Sequence, residues 1–316
     1  MAYQSRRERR LRIEAERKRQ IRQRVKDFLI VALALTIFAA ITIYIGNQEI
    51  DSKIWPIISN KNKNTAKTTK KSGEKANEIQ NNLTNQISNI NGQLNIQNQS
   101  NLSGLPSNTA TAVSVVDLSG KGRGTVSYNG SVQFTSASTY KIYVAYAMIH
   151  DVETKTRTWN SRLGRATWDE CLSRMIVNSD NSCPEAFIST RGYDYLNNVV
   201  HSVGISSATR FAYDDMRTTS DDLAKMLTMI YQAKIVTKES RDKLFDLMSK
   251  QVYREGIPAG VGGIVYDKVG FLDQILNDAA VVKSDTGDYA LVIMTNGESW
   301  PYIARVASYV NSVMRR

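Results

Sequence analysis

Apolar and polar positions divide the 316-residue chain into stretches of different character. Residues 28–46 form an apolar run without a charged side chain, and residues 47–108 are rich in Asn, Lys, Gln, Ser and Thr. Regular apolar periodicity begins near residue 109 and continues to the end. Since a polar stretch buries too little apolar surface to offset chain entropy, the pattern predicts one folded domain at 109–316.

Within this domain, two kinds of apolar spacing alternate along the chain. β-Branched runs closed by turn residues predict strands at 111–118, 125–128, 264–268, 279–283 and 289–295. Apolar residues at three- and four-residue steps predict helices at 138–150, 167–175, 221–232, 238–248 and 300–314. Strands at both ends with helices between them predict an α+β fold with an antiparallel sheet.

The charge of the chain is concentrated before the apolar run. The net charge is +11, and residues 1–27 hold eleven Lys/Arg against four Asp/Glu. An apolar run near the ~20 residues of a membrane-spanning helix, preceded by so many bases, predicts an uncleaved anchor. We therefore expect a basic cytoplasmic tail at 1–27, a transmembrane helix at 28–46, a flexible polar stalk at 47–108 and a domain outside the cell. Within the stalk, a short helix is an alternative that the three- and four-residue steps of Leu83, Ile87, Ile90 and Leu94 allow, although the many Asn residues weaken it.

The remaining composition limits the partners and cofactors. The folded part is nearly balanced in charge and lacks a basic patch with aromatic residues, so no nucleic-acid partner is expected. Two His residues without ligand-like spacing predict neither a metal nor a Ser-His-Asp triad, and no cofactor is expected. Cys171 and Cys183 are either disulfide-bonded, as an oxidising exterior allows, or two buried thiols.

Three Ser-x-x-Lys tetrads occur, at 72–75, 138–141 and 240–243. The first lies in the polar stalk, and the third opens a polar helix where a cap and a solvated Lys are expected. Only Ser138 begins a helix that is apolar on most sides, which predicts a buried position. There Lys141 lies one turn from Ser138, and desolvation favours its neutral form. A neutral Lys can take the hydroxyl proton, so Ser138 is the candidate nucleophile.

Two later clusters add suitable chemistry. Ser179-Asp180-Asn181 follows a helical stretch, and its hydroxyl and amide suit proton transfer and contact with a substrate carbonyl. Lys268-Val269-Gly270 lies on a predicted strand, where Lys presents a positive charge and Gly lets a ligand approach the backbone. The order and placement of the three clusters favour one catalytic cleft.

With these motifs, residues 110–316 resemble the class A β-lactamase and penicillin-binding superfamily, with its S-x-x-K, S-D-N and K-T-G motifs. The resemblance implies a sheet flanked by helices beside an all-helical lobe. It also implies a role for each residue of the cleft. Ser138 is expected to be the acylated nucleophile, Lys141 its activator and Ser179 the proton shuttle. Asn181, Lys268 and Gly270 are expected to contact the substrate, and the N–H groups of Ser138 and Phe271 to form the oxyanion hole.

Two departures from the family pattern limit the expected activity. No Glu-x-x-Leu-Asn motif follows the Ser-Asp-Asn cluster, and the acids in that stretch are Glu185, Asp194, Asp214 and Asp215. Val269 also replaces the hydroxyl residue of K-T-G, and a lost hydrogen bond to a charged group is worth ~1.5–3 kcal/mol. These changes predict either a site that can acylate but deacylates slowly, or a natural substrate that lacks the usual carboxylate.

Three functions remain in view. The leading prediction is a membrane-anchored extracellular serine hydrolase that forms an acyl-enzyme with β-lactams or related amides. One alternative is a D,D-peptidase acting on the stem peptides of peptidoglycan. The other is a catalytically impaired module that binds the cell wall or a partner protein.

Overall fold

A five-stranded antiparallel sheet forms the centre of the domain. The computed structural model describes residues 74, 76–87 and 111–315. The strand order is β2-β1-β10-β9-β8. The bounds are Thr111–Asp117 for β1, Thr125–Tyr128 for β2, Val265–Leu272 for β8, Ile275–Val282 for β9 and Tyr289–Asn296 for β10. The predicted antiparallel sheet is confirmed, because β1 pairs with β10 along its whole length.

Helices and short strands fill the interval between β2 and β8, and two further helices lie before β1 and after β10 in the described part of the chain. The helices are α1 at 76–87, α2 Lys141–Glu153, α3 Trp168–Val177, α4 Ser182–Arg191, α5 Tyr193–Ser202, α6 Ser220–Tyr231, α7 Lys238–Ser249, α8 Ile257–Gly260 and α9 Trp300–Met314. The short strands are β3 Phe134–Thr135, β4 Arg162–Leu163, β5 Ala166–Thr167, β6 Arg210–Ala212 and β7 Asp215–Thr218. Of these, β3, β7 and β6 form one small sheet.

The larger core lies on one face of the sheet around α2. The side chains of α2 are buried from Lys141 through Ile149, as its nearly continuous apolar sequence predicts. Trp168 and Phe187 from the neighbouring helices pack in the same cluster. The α3 helix begins where Thr167 and Glu170 form a capping box. This core fixes the helix that carries Lys141.

The second core lies on the other face of the sheet and includes part of the predicted stalk. Helix α1 buries Leu83 and Ile87 against sheet residues and α9. Gln80 accepts a hydrogen bond from the backbone N–H of Ser127 at 2.8 Å. For this segment the prediction of a flexible stalk is wrong, because two apolar side chains one turn apart give α1 a face that the sheet covers.

A disulfide joins Cys171 of α3 to Cys183 of α4, with the Cα atoms 5.1 Å apart. Both residues are buried in the larger core. Of the two alternatives for the cysteines, the structure therefore supports the disulfide. The bond closes a segment of chain that contains the Ser-Asp-Asn cluster, and so restrains the turn between the two helices.

The predicted cytoplasmic tail, the transmembrane segment at 28–46 and most of the predicted stalk lie outside the described residues. Within residues 74, 76–87 and 111–315, no helix has the length and apolar character needed to cross a bilayer.

Candidate active site

Ser138 lies in a single 3-10 turn, Ala137–Tyr140, which leads directly into α2. We refer to residues 135–140 as the nucleophile turn. The predicted helix therefore begins three residues later than expected, at Lys141. Ala137 has a φ of 42°, a strained conformation for a residue with a side chain. The surrounding backbone holds this turn, since the N–H of Ser136 donates to the carbonyl of Met216 at 2.9 Å.

Lys141 is buried and points back at the nucleophile. Its Nζ lies 3.0 Å from Ser138 Oγ, 2.5 Å from the carbonyl oxygen of Ser179 and 2.7 Å from Asn181 Oδ1. The last two oxygens only accept hydrogen bonds. A neutral amine has two N–H donors and one lone pair. When the donors bind these two oxygens, the lone pair is left for the proton of Ser138.

The protonation state of Lys141 follows from its burial. Desolvation lowers its pKa from 10.5 to about 8, although the charges of Asp180 and Glu185 act in the opposite direction. A substantial part of the population is thus neutral in mildly alkaline solution. Lys141 combines the position and the basicity that a general base for Ser138 requires.

The Ser-Asp-Asn cluster forms the turn between α3 and α4. Ser179 has a φ of 58°, in the left-handed region. The carboxylate of Asp180 holds the turn by accepting hydrogen bonds from the N–H of Cys183 at 3.0 Å and from Arg174 at 2.9 Å. Asp180 thus stabilises the turn itself. Ser179 and Asn181 are left to contact Lys141.

Lys268, on β8, forms the opposite wall. Its Nζ donates to Ser179 Oγ at 2.9 Å and to the carbonyl of Val269 at 2.8 Å. Ser179 Oγ also lies 3.4 Å from Lys141 Nζ, so this hydroxyl stands between two amines. Burial, followed by the positive charge of Lys141, lowers the pKa of Lys268 to about 7.

Gly270 packs directly on the nucleophile turn. A Cβ at this position would lie 2.7 Å from the N of Thr139 and 2.8 Å from both the O of Ser136 and the N of Ser138. Real side chains do not come this close to backbone atoms, so only glycine fits. The contact brings β8 next to Ser138, as an oxyanion hole formed by the N–H groups of Ser138 and Phe271 requires.

Val269 is fully buried, and strand alternation places its side chain on the face opposite to Lys268 and Gly270. β8 continues as a regular strand to Leu272, and Val269 offers a substrate no hydroxyl group. The amine of Lys268 and the backbone of Gly270 are what β8 presents to the cleft.

A β-hairpin, β6–β7, occupies the chain between α5 and α6, where the family pattern carries the deacylating Glu. Asp215 accepts a hydrogen bond from Arg217 and forms an ion pair with Arg210. The bond from Arg217 lowers the pKa of Asp215 below its ordinary value. Asp214 is exposed in the hairpin turn, and Glu185 and Asp194 are exposed near the starts of their helices. Asp215 is therefore a poor base, held by arginines.

The other residues considered from the sequence have structural roles. Ser240 lies in the first turn of α7, which Thr237 caps, and Lys243 pairs with Asp169 over the ring of Trp159. The first tetrad, at 72–75, lies outside the described residues. His201 Nε2 lies 2.7 Å from the carbonyl of Thr209, and His150 Nδ1 lies 3.5 Å from the hydroxyl of Tyr195.

Sequence reasoning missed Asn277, which fastens the nucleophile turn to the sheet. Its side-chain amide donates to the carbonyls of Thr135 at 2.9 Å and Ser136 at 3.2 Å, while its Oδ1 accepts from the N–H of Thr295. Asn277 is also the cross-strand partner of Gly270. The polar pair Asn277-Asp278 inside an otherwise apolar strand was the available signal.

Sequence reasoning also missed Asp267 and Asp278, two buried carboxyl groups that interact electrostatically with Lys268. Burial raises the pKa of both above the ordinary value, and Arg254 pairs with Asp267. One oxygen of each carboxyl has no hydrogen-bond partner within the described residues. When they are ionised, these carboxylates raise the pKa of Lys268 and so partly offset the effect of its burial.

The fold and the cleft together define a class. An α+β domain that brings a Ser–Lys pair, a Ser-Asp-Asn turn and a Lys-x-Gly strand together has the architecture of β-lactamase-like serine hydrolases. The family model described as "Beta-lactamase enzyme family" matches residues 96–312. The chain belongs to this family.

Solved structures share the fold at low sequence identity. A variant of PBP-A, solved as an acyl-enzyme complex with penicillin G, is 22% identical with a TM-score of 0.62, and the match covers 72% of this chain and 96% of that one. An ancestral class A β-lactamase is 19% identical with a TM-score of 0.64, and the match covers 73% and 99%. The β-lactamase from Sphaerobacter thermophilus is 19% identical with a TM-score of 0.59, over 66% and 93%. No curated protein matches the chain.

The close contact at Gly270 gives a stability prediction. We expect Gly270→Ala to lower the free energy of unfolding by about 1–3 kcal/mol, the usual cost of an extra carbon in a packed site. Urea unfolding of the full-length chain measures the change. The matched control is Gly262→Ala, because a Cβ there meets no atom within 4 Å. Equal unfolding midpoints for the two variants would show that β8 is not tightly packed against the nucleophile turn.

Proposed function

We propose that the protein is a serine hydrolase that forms an acyl-enzyme at Ser138 with β-lactams or related amides. The observation that carries the proposal is the position of Lys141. Its buried amine lies 3.0 Å from Ser138 Oγ, and two acceptor oxygens bind its N–H groups. This geometry aims the lone pair of the neutral amine at the hydroxyl.

The residues around the cleft supply each step of acylation. Ser138 gives its proton to Lys141 Nζ while Oγ bonds to the carbonyl carbon, whose oxygen becomes negative between the N–H groups of Ser138 and Phe271. The proton then passes from Lys141 through Ser179 Oγ to the amide nitrogen as the C–N bond breaks. Lys268 binds an anionic group of the substrate, and Asn181 binds a carbonyl.

Deacylation is proposed to be slow. Hydrolysis of the ester at Ser138 needs a base that activates water. Asp215 of the β6–β7 hairpin is bound by two arginines and has a lowered pKa, so it is a weak base. The acyl group is therefore expected to remain on Ser138 for longer than it takes to form.

The location of the activity is also a proposal. The eleven basic residues before the apolar run at 28–46 favour a single-pass anchor with the N-terminus inside. The domain then acts outside the cell, where β-lactams and peptidoglycan are both within reach. Slow deacylation favours a D,D-peptidase of the penicillin-binding type as the second candidate, because such a site also reacts with β-lactams through an acylated serine.

Covalent labelling tests the nucleophile. The full-length chain incubated with a fluorescent penicillin should give a labelled band, and Ser138→Ala should abolish it because the acylated oxygen is missing. Ser240→Ala is the matched control from the third tetrad and should label like the unchanged chain. Folded protein without any band would instead support the third candidate, a binding module without turnover.

The pH dependence of labelling tests the role of Lys141. At saturating penicillin, whose carboxylate keeps Lys268 charged, the first-order acylation rate should rise with pH through about 8, the pKa of Lys141. Only the neutral amine takes the proton, so the rate should increase about tenfold per pH unit well below this pKa and level off above it. A rate that is constant or falls from pH 6 to 9 would exclude Lys141 as the base.

A chromogenic cephalosporin tests whether deacylation is slow. If deacylation is slow, we expect a burst of one product molecule per protein molecule followed by a much slower steady state. Stopped-flow absorbance at several protein concentrations measures the burst amplitude. Rapid linear turnover without a burst would contradict slow deacylation and identify an efficient β-lactamase.

A further inference from the structure

The disulfide between Cys171 and Cys183 encloses the turn that binds Lys141. The two cysteines are 12 positions apart in the sequence and lie in α3 and α4, on either side of the Ser-Asp-Asn turn. The carbonyl oxygen of Ser179 and Oδ1 of Asn181, which accept hydrogen bonds from Lys141, both belong to this turn. The covalent link therefore spans the segment that orients the base.

The turn has a conformation that its local interactions do not favour. Ser179 has a φ of 58°, which is unfavourable for a residue with a side chain. Asn181 occupies the N-cap position of α4 but makes no capping hydrogen bond, although Asn at this position usually caps its helix. Its Oδ1 accepts from Lys141 instead, at 2.7 Å. Other contacts must therefore hold the turn in place.

Those other contacts join the helices on either side of the turn. The N–H of Cys183 donates to Asp180 at 3.0 Å, and Arg174 of α3 pairs with the same carboxylate at 2.9 Å. The side chain of Arg174 is 49% exposed, so water and salt weaken this ion pair. Both cysteines are buried in the larger core. The disulfide is thus the link that fixes the distance between α3 and α4.

We propose that Cys171 and Cys183 are positioning residues for the reaction at Ser138, and that rapid acylation requires the disulfide between them. This inference rests on the proposed function, because it concerns the base that activates Ser138. Without the bond, α3 and α4 can separate and carry the two acceptor oxygens away from Lys141. The amine then loses the contacts that aim its lone pair at the hydroxyl.

The proposal makes the activity dependent on the redox state of the surroundings. Forming the bond from two thiols releases two protons and two electrons, which an external disulfide can accept by thiol–disulfide exchange. A chain with reduced thiols would thus acylate slowly until it reaches an oxidising compartment.

Reduction of the unchanged full-length chain tests the proposal without a substitution. Dithiothreitol transfers two electrons and two protons to the disulfide and closes into its own cyclic disulfide. It is applied until both cysteines titrate as thiols. We expect the first-order acylation rate at saturating fluorescent penicillin to fall about tenfold, because a small displacement of a catalytic group is enough for such a loss.

The pH midpoint of acylation separates positioning from stability. The charged groups that act on Lys141 are Asp180 and Glu185, and Lys268 interacts with it from β8. Burial is the largest effect and lowers the pKa of Lys141 to about 8. A loosened turn admits water, which favours the charged amine, so the midpoint should rise above this value. A loss of stability alone would reduce the amount of folded protein and leave the midpoint unchanged.

Two variants complete the experiment. The double variant Cys171→Ala, Cys183→Ala should behave like the reduced chain and should not respond to dithiothreitol. Ile87→Ala removes a buried side chain from the core on the other face of the sheet. It should lower the stability but keep the acylation rate and the midpoint of the oxidised chain. Urea unfolding identifies the temperature at which each form is folded.

The outcomes distinguish this inference from the proposed function. If the oxidised chain is not labelled at Ser138, the proposed function fails. If the folded reduced chain or the folded double variant acylates as fast as the oxidised chain, the function stands and the cysteines have only a structural role. A slower rate with an unchanged midpoint would also contradict the inference, because the turn would then still enclose Lys141.

Discussion

The contact between Lys141 and Ser138 is the interaction on which the rest of this domain depends. Burying an amine without partners is costly, and its charged form is costlier still. The protein offsets this cost with two acceptor oxygens from the Ser-Asp-Asn turn, at 2.5 and 2.7 Å. The buried helix α2, the disulfide across the turn and the close approach of Gly270 all hold these partners in place. The packing of the domain therefore also sets the geometry around Ser138.

The electrostatics of the cleft favour a substrate with an anionic group. Two amines, Lys141 and Lys268, share the hydroxyl of Ser179, and burial disfavours the charge on both. The pKa of Lys268 falls further because it feels the charge of Lys141. The buried carboxyls of Asp267 and Asp278 raise the pKa of Lys268 only partway back. An anion bound at Lys268 would raise this pKa further, so anion binding and protonation of the lysine are linked.

The sequence predicted the parts of the fold that have strong local signals. The sheet and the buried helix after Ser138 follow from apolar periodicity. The grouping of the three motifs follows from their residue types and their order along the chain. It did not predict Asn277, because one amide that bridges β9 to the nucleophile turn leaves no periodic trace. The spacing of Leu83 and Ile87 allowed a short helix, but their burial was not predicted, since the many Asn residues around them indicate a solvated segment. Tertiary contacts overrode local composition in both cases.

The β6–β7 hairpin bears on the proposal that deacylation is slow. The backbone carbonyl of Met216 accepts hydrogen bonds from the N–H and the hydroxyl of Ser136, and its side chain packs on the larger core. Strand alternation then places Asp215 and Arg217 on the opposite face, where they pair with each other. The hairpin thus meets the nucleophile turn with main-chain atoms and an apolar side chain. Neither can activate water, and this supports the proposal that an acyl group on Ser138 would be hydrolysed slowly.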